Sequence, residues 1–148
     1  MIGSVIVGTD GSQTAAVAVS HAVELARTFG ARLSIVSAYE PVPEGRLRSS
    51  PPATPADIQW EVNQREDVLA LLQTLAAQAR EGGVEHVETF ARVGDAADAI
   101  LDVAEEQRSD LIVVGNKGMT GATRFLLGSV PNKVSHHAPC SVMIVRTS

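Results

Sequence analysis

Short apolar runs alternate along this chain with longer stretches in which apolar residues return every three or four positions. The runs Ser4–Val7, Arg32–Ala38, His86–Val93, Leu111–Val114 and Ser141–Arg146 read as strands. Leu111–Val114 (LIVV) has no polar alternation, which marks a parallel strand covered on both faces. Between the runs, Val19, Ala22, Val23, Ala26 and Phe29 form one stripe of a helix over Ala15–Phe29, and Ala97, Ile100, Leu101 and Ala104 one of a helix over Ala96–Gln107. Both stripes are expected to face a core. A further helix is expected from about Pro55 to Arg80, stopped by Gly82-Gly83, and Asp95 is placed to cap the helix after it. Strands alternating with helices imply one α/β domain over residues 1–148, an open, doubly wound five-stranded parallel sheet flanked by helices.

One segment breaks the pattern. Pro41–Pro55 holds five of the seven prolines together with Gly45, Arg46, Arg48 and two serines, so it continues neither neighbour. It is expected to be a long loop, either a connector or a lid and docking segment whose arginines are long enough to reach phosphates.

Composition narrows the function. A chain of 148 residues suits one domain, burying about 70% of its unfolded surface. With one Trp, one Tyr and three Phe, its core must be Ala, Val, Leu and Ile. A net charge of −5 without a basic cluster argues against nucleic-acid binding, which needs Lys and Arg at the phosphates. No 18-residue apolar span is present, so no membrane partner is expected. Cys140 is the sole cysteine, which rules out an intramolecular disulfide and leaves it to pack as a small hydrophobe. A cytoplasmic location is the expectation.

The chemistry concentrates where Leu111–Val114 ends. Gly115-Asn-Lys-Gly118 is followed, nine residues after Gly118, by Gly128-Ser129. Ser129, Val130 and Pro131 then suit a helix start, with Ser129 the candidate N-cap and the proline in the first turn, where a missing N–H is harmless. Unpaired amides and the helix dipole make such a terminus an anion site, the dipole alone contributing roughly 0.3–1 kcal/mol. A lone Gly-x-x-Gly is ordinary turn chemistry; the full spacing is what points to a phosphate ligand. There is no P-loop and no Gly-x-Gly-x-x-Gly after the first strand. Hydrolysis would need a positioned base or a metal with its carboxylates, and a glycine loop supplies only a cradle. His136 and His137 are adjacent on the last helix and face different ways, which makes a poor metal pair.

Val113–Gly118 (VVGNKG) with Leu127–Val130 (LGSV) resembles the ATP-binding signature of the universal stress protein family. Val5–Ser12 (VIVGTDGS) resembles that family's first strand and turn, and Ala138–Arg146 its last strand, so the resemblance spans the chain. It implies a Rossmann-like, adenine nucleotide alpha-hydrolase-like fold that binds ATP or a related adenine nucleotide, with Mg²⁺ as a possible companion, and acts as a regulatory or stress-response switch. Cyclic AMP binding, slow ATP hydrolysis and a ligand-free interaction scaffold are the alternatives. The resemblance places Thr9 and Asp10 near the purine and ribose and the backbone of Ala38 at the adenine edge. Gly115, Asn116, Gly118, Gly128, Ser129, Val130 and Pro131 fall at the phosphates, with Lys117 and Arg124 supplying charge. Pro131 departs from the pattern in having no N–H to donate. The resemblance assigns no catalytic residue and leaves the metal ligands open, with Asp10 the candidate to help hold a Mg²⁺ at the phosphates, and it implies a homodimer formed through the strand at 141–146.

Overall fold

Val5, Ile6 and Val7 are wholly shielded from solvent, which fixes β1 (Ser4–Gly8) as a strand with neighbours on both sides and helices on both faces. In the computed structural model, which describes residues 1–39, 55–116 and 128–147 and only the backbone over 55–63, β1 pairs in parallel with β2 (Arg32–Tyr39) and β4 (Leu111–Gly115). β3 (Val87–Val93) lies outside β2, and β5 (Ser141–Val145) lies outside β4. The resulting five-stranded parallel sheet has the order β3-β2-β1-β4-β5. The chain steps outward from β1 to β3, then crosses back to β4, so the direction of travel reverses between β1 and β4.

Alternate residues of β1 serve different layers. Val5 and Val7 join Leu33, Ile35, Leu111 and Val113 beneath α1 (Gln13–Phe29) and α2 (Pro55–Glu81). Ile6 joins Val36, Ile112 and Val114 beneath α3 (Ala96–Glu106) and α4 (Ser129–His137). The two clusters are the opposite faces of one sheet.

The helix ends follow from local chemistry. Ser12 Oγ accepts the Ala15 N–H at 3.1 Å, and Gly30 closes α1 in the left-handed region at φ 64°. Gly83, at φ 104°, turns the chain out of α2 towards β3. Asp95 Oδ2 accepts the Asp98 N–H at 3.0 Å, the expected cap of α3.

Two expectations are corrected. Phe29 continues the buried stripe of α1 by angle, yet it is 49% exposed, while Ala18 is fully buried. A stripe specifies direction around the helix and not whether a neighbour exists at that height along it. Ser129 is not the cap of α4 but its first residue; Gly128 takes the cap position. A serine cap would use its hydroxyl on an amide two or three residues on, and here the cap has no side chain. The proline-rich loop, with Arg46 and Arg48, lies outside the described residues, as do Lys117, Gly118 and Arg124.

Candidate functional site

At the carboxyl ends of β1 and β4, where the strand order reverses, an open cleft enters the molecule. Such reversal points are where open α/β sheets hold ligands, because the loops there diverge to opposite faces. The floor is apolar, built from Val36, Ala38, Ile100 and Val114. Gly8 runs so close under Ile100 that any Cβ would collide with that side chain, so a glycine is what lets α3 lie against β1 here.

One lip is the turn after β1. Thr9 is 3% exposed; its N–H donates to Val36 O at 2.9 Å and its Oγ1 accepts from Gly11 N at 3.1 Å. Asp10 Oδ1 accepts from Ser12 N at 2.9 Å, an Asx-type turn, and Gly11 has φ 83°. Ser12 Oγ lies 3.0 Å from Thr14 Oγ1 while it caps α1. Both the turn role and the cleft position of Asp10 are therefore realised, since one carboxylate oxygen fixes the turn and the residue lines the cleft.

The other lip is the end of β4 with the head of α4. Gly128 N donates to Asn116 O at 3.1 Å, and Asn132 N donates to Gly128 O at 3.1 Å. Gly128 sits at φ −63°, ψ 167° with no side-chain cap bond. The first helical amides, Ser129 and Val130, have no carbonyl within the helix to bond, and Pro131 has no amide. Two donors are thus presented at a terminus whose cap leaves them to an external acceptor. Asn116 turns away from the cleft, its Oδ1 accepting from Thr147 N at 3.0 Å and Thr147 Oγ1 at 2.9 Å.

Three helices direct their N-termini at this space, since Thr14 and Ala15 of α1, Ala96 of α3, and Val130 and Pro131 of α4 all line it. Their dipoles sum to a positive potential although no Lys or Arg lines the cleft among the described residues. Behind the lip, Lys133 Nζ binds Asp98 Oδ1 at 2.8 Å and Asp95 Oδ2 at 3.4 Å, strapping α4 to the head of α3. The Asp98 N–H, followed by Lys133, holds the Asp95 carboxyl below its usual range; the Asp98 contact raises Lys133.

Of the residues expected at the site, Thr9, Asp10, Ala38, Gly115, Val130 and Pro131 line one cleft, while Gly128 and Ser129 precede Val130 in the chain and are not among its lining residues. The sequence reading missed Gly8, Ser12, Thr14 and the floor residues Val36, Ile100 and Val114. Ser12 had a signal in its cap position. The floor residues had none, being core by pattern. Among the described residues no three His, Cys, Asp or Glu side chains gather to hold a metal.

A model of the universal stress protein family matches residues 1–146. The chain belongs to that family. A universal stress protein of Mycobacterium tuberculosis is 37% identical over 149 aligned positions, covering 98% of this chain and 97% of the relative. One from Methanocaldococcus jannaschii is 32% identical, covering 96% of this chain and 81% of its own length. Among solved structures, a universal stress protein in complex with cAMP superposes at TM-score 0.75 with 34% identity, covering 99% of each chain. The Archaeoglobus fulgidus universal stress protein in complex with dAMP does so at 0.66 with 25% identity, covering 99% of this chain and all of that one. Within this family setting Cys140 packs as expected, half-buried against the α3–α4 layer, and burial pushes its thiol pKa up.

Proposed function

We propose that this universal stress protein binds an adenine nucleotide, ATP foremost, in the β1–β4 cleft and serves as a regulatory switch. The observation that carries the reading is the pairing of an apolar floor with an uncapped α4 terminus. Val36, Ala38, Ile100 and Val114 offer a planar base a desolvated seat, while the Ser129 and Val130 amides offer an anion two donors. Charge-assisted bonds of that kind contribute about 1.5–3 kcal/mol each. Asp10, the single carboxylate at the cleft among the described residues, suits a ribose hydroxyl or, if Mg²⁺ accompanies the phosphates, one of its waters. Lys117, Gly118 and Arg124 complete the phosphate end in this reading. Among the described residues the one carboxylate lining the cleft, Asp10, already accepts the Ser12 N–H, which supports binding over designed turnover.

Cyclic AMP is the second reading. It is favoured by the solved relative in complex with cAMP and by the small donor count, since two amides suit a single phosphate better than three. We place the protein in the cytoplasm and expect it to pair through β5, an edge strand whose Met143 and Ile144 are each 38% exposed. Among the described residues no helix is long and apolar enough to cross a membrane.

Isothermal titration of nucleotide-stripped protein with ATP, AMP and cyclic AMP, with and without Mg²⁺, tests the reading while the same samples are assayed for ADP. Tight ATP binding with negligible ADP is expected. A preference for cyclic AMP moves the protein to the second reading, rapid ADP release makes it an enzyme, and no binding removes the proposal.

A further inference from the structure

Four hydrogen bonds tie Asn116 to two separate segments, the end of β5 and the head of α4. Its N–H donates to Val145 O at the end of β5 at 2.8 Å, and its C=O accepts from the Gly128 N–H at 3.1 Å. Its side-chain oxygen accepts from both the N–H and the hydroxyl of Thr147, at 3.0 and 2.9 Å. Because a backbone N–H can only donate, the carboxamide oxygen is the atom that faces Thr147, and both of its lone pairs are used. Thr147 lies outside the cleft, 31 residues further along the chain.

We infer that Asn116 is a positioning residue for the cleft and not a ligand contact: it fixes Gly128, and with it the Ser129 and Val130 amides, against the chain just beyond β5, and its side chain acts through Thr147. The residue type fits the task. Aspartate would accept the same two bonds but would set a negative charge one residue from Gly115, beside a site for anions. A shorter side chain would leave the donors of part-buried Thr147 without an acceptor. The edge strand β5 and the phosphate lip are therefore fastened to one residue, so a displacement at the end of β5 reaches the donors of α4 through Asn116, by its main chain from Val145 and by its side chain from Thr147.

The affinity arm of the test rests on the nucleotide reading; the exchange arm does not. ATP and cyclic AMP are titrated into wild-type protein and into Asn116→Ala, Thr147→Pro, Thr147→Ser and the Asn116→Ala/Thr147→Pro double variant. Amide exchange at Gly128 is followed in the same proteins without ligand. Loss of about one hydrogen bond's contribution corresponds to about tenfold weaker binding in Asn116→Ala and equally in Thr147→Pro. The double variant should bind no more weakly than either single one, and Thr147→Ser, which keeps both donors, should bind as wild type. Gly128 should exchange faster in both single variants. Wild-type affinity in Thr147→Pro alongside a loss in Asn116→Ala would make Asn116 a direct contact and overturn the inference. Should the wild type bind neither nucleotide, the exchange arm still decides, and unchanged exchange at Gly128 refutes the positioning role.

Discussion

On the β1 side of the cleft, each side-chain bond that shapes the lip spans two or three residues: Thr9 to Gly11, Asp10 to Ser12, Ser12 to Ala15. On the β4 side, Asn116 reaches Gly128 across a segment of chain, then Val145, then Thr147 at 31 residues. The side-chain bonds of the first lip stay inside the turn, and its longer tie is the Thr9 N–H to Val36 O of β2. The second lip exists only once β5 has docked and α4 has been laid down. A cleft built this way has one rigid, locally determined wall and one wall whose position depends on the sheet edge. On the proposed nucleotide reading, the edge and the ligand would influence one another, since coupling is reciprocal.

The largest effect is expected where the two walls meet. Gly8→Val forces a branched side chain into Ile100 and should cost about 1–3 kcal/mol by overpacking while filling the floor of the cleft. Urea denaturation would register the loss, and an unchanged midpoint would show that α3 can move away freely. Next comes the local wall: Ser12→Ala removes the cap of α1 and should cost about 1 kcal/mol in the same assay. Because the side-chain bonds of that wall stay inside the turn, exchange at Gly128 and Thr147 should not change; if it speeds up, the two lips are not independent.

The smallest effect is expected at Lys133, whose ion pairs lie on the surface, half in solvent. Lys133→Met should leave the melting temperature nearly unchanged, because α4 is held by Asn116 and by buried Val134 and Pro131. What difference remains has a defined pH window. The lowered Asp95 pKa contributes stability above the ordinary carboxylate value of 3.8 that is lost as pH falls below it. The raised Lys133 pKa contributes stability fully present below 10.5 and lost as pH climbs through the higher folded value. Melting curves of wild type and variant should therefore converge at both extremes, and a gap that persists in acid would assign the effect to packing instead.

The same contrast explains what was legible in the sequence. Buried parallel strands lack polar alternation, so LIVV and its counterparts declared themselves, and Asp95 and the Gly82-Gly83 stop act through bonds of a few residues. Asp10 was readable as a turn residue for the same reason. Asn116 was expected at the nucleotide because it falls within the family signature; its partner Thr147 is joined to it only through the pairing of β4 with β5. Likewise Val36, Ile100 and Val114 carry only the mark of core residues, and it is the strand order that brings them to the cleft. Ser129 and Phe29 were misread because a residue type and a helical angle set what is possible locally, while the neighbours present decide what is used.

The central claim is that α4 leaves its first amides uncapped for a ligand, and Gly128→Asp tests it. Residue 128 sits at φ −63° and ψ 167°, a conformation open to any side chain, so an aspartate there should accept from the Val130 amide itself and add roughly a few tenths of a kcal/mol of stability. Titration of ATP into wild type and variant side by side should show binding in the first and its loss in the second, with the variant melting no lower. Equal affinity in a folded variant would contradict the account, because the donors would then be shown not to meet the ligand.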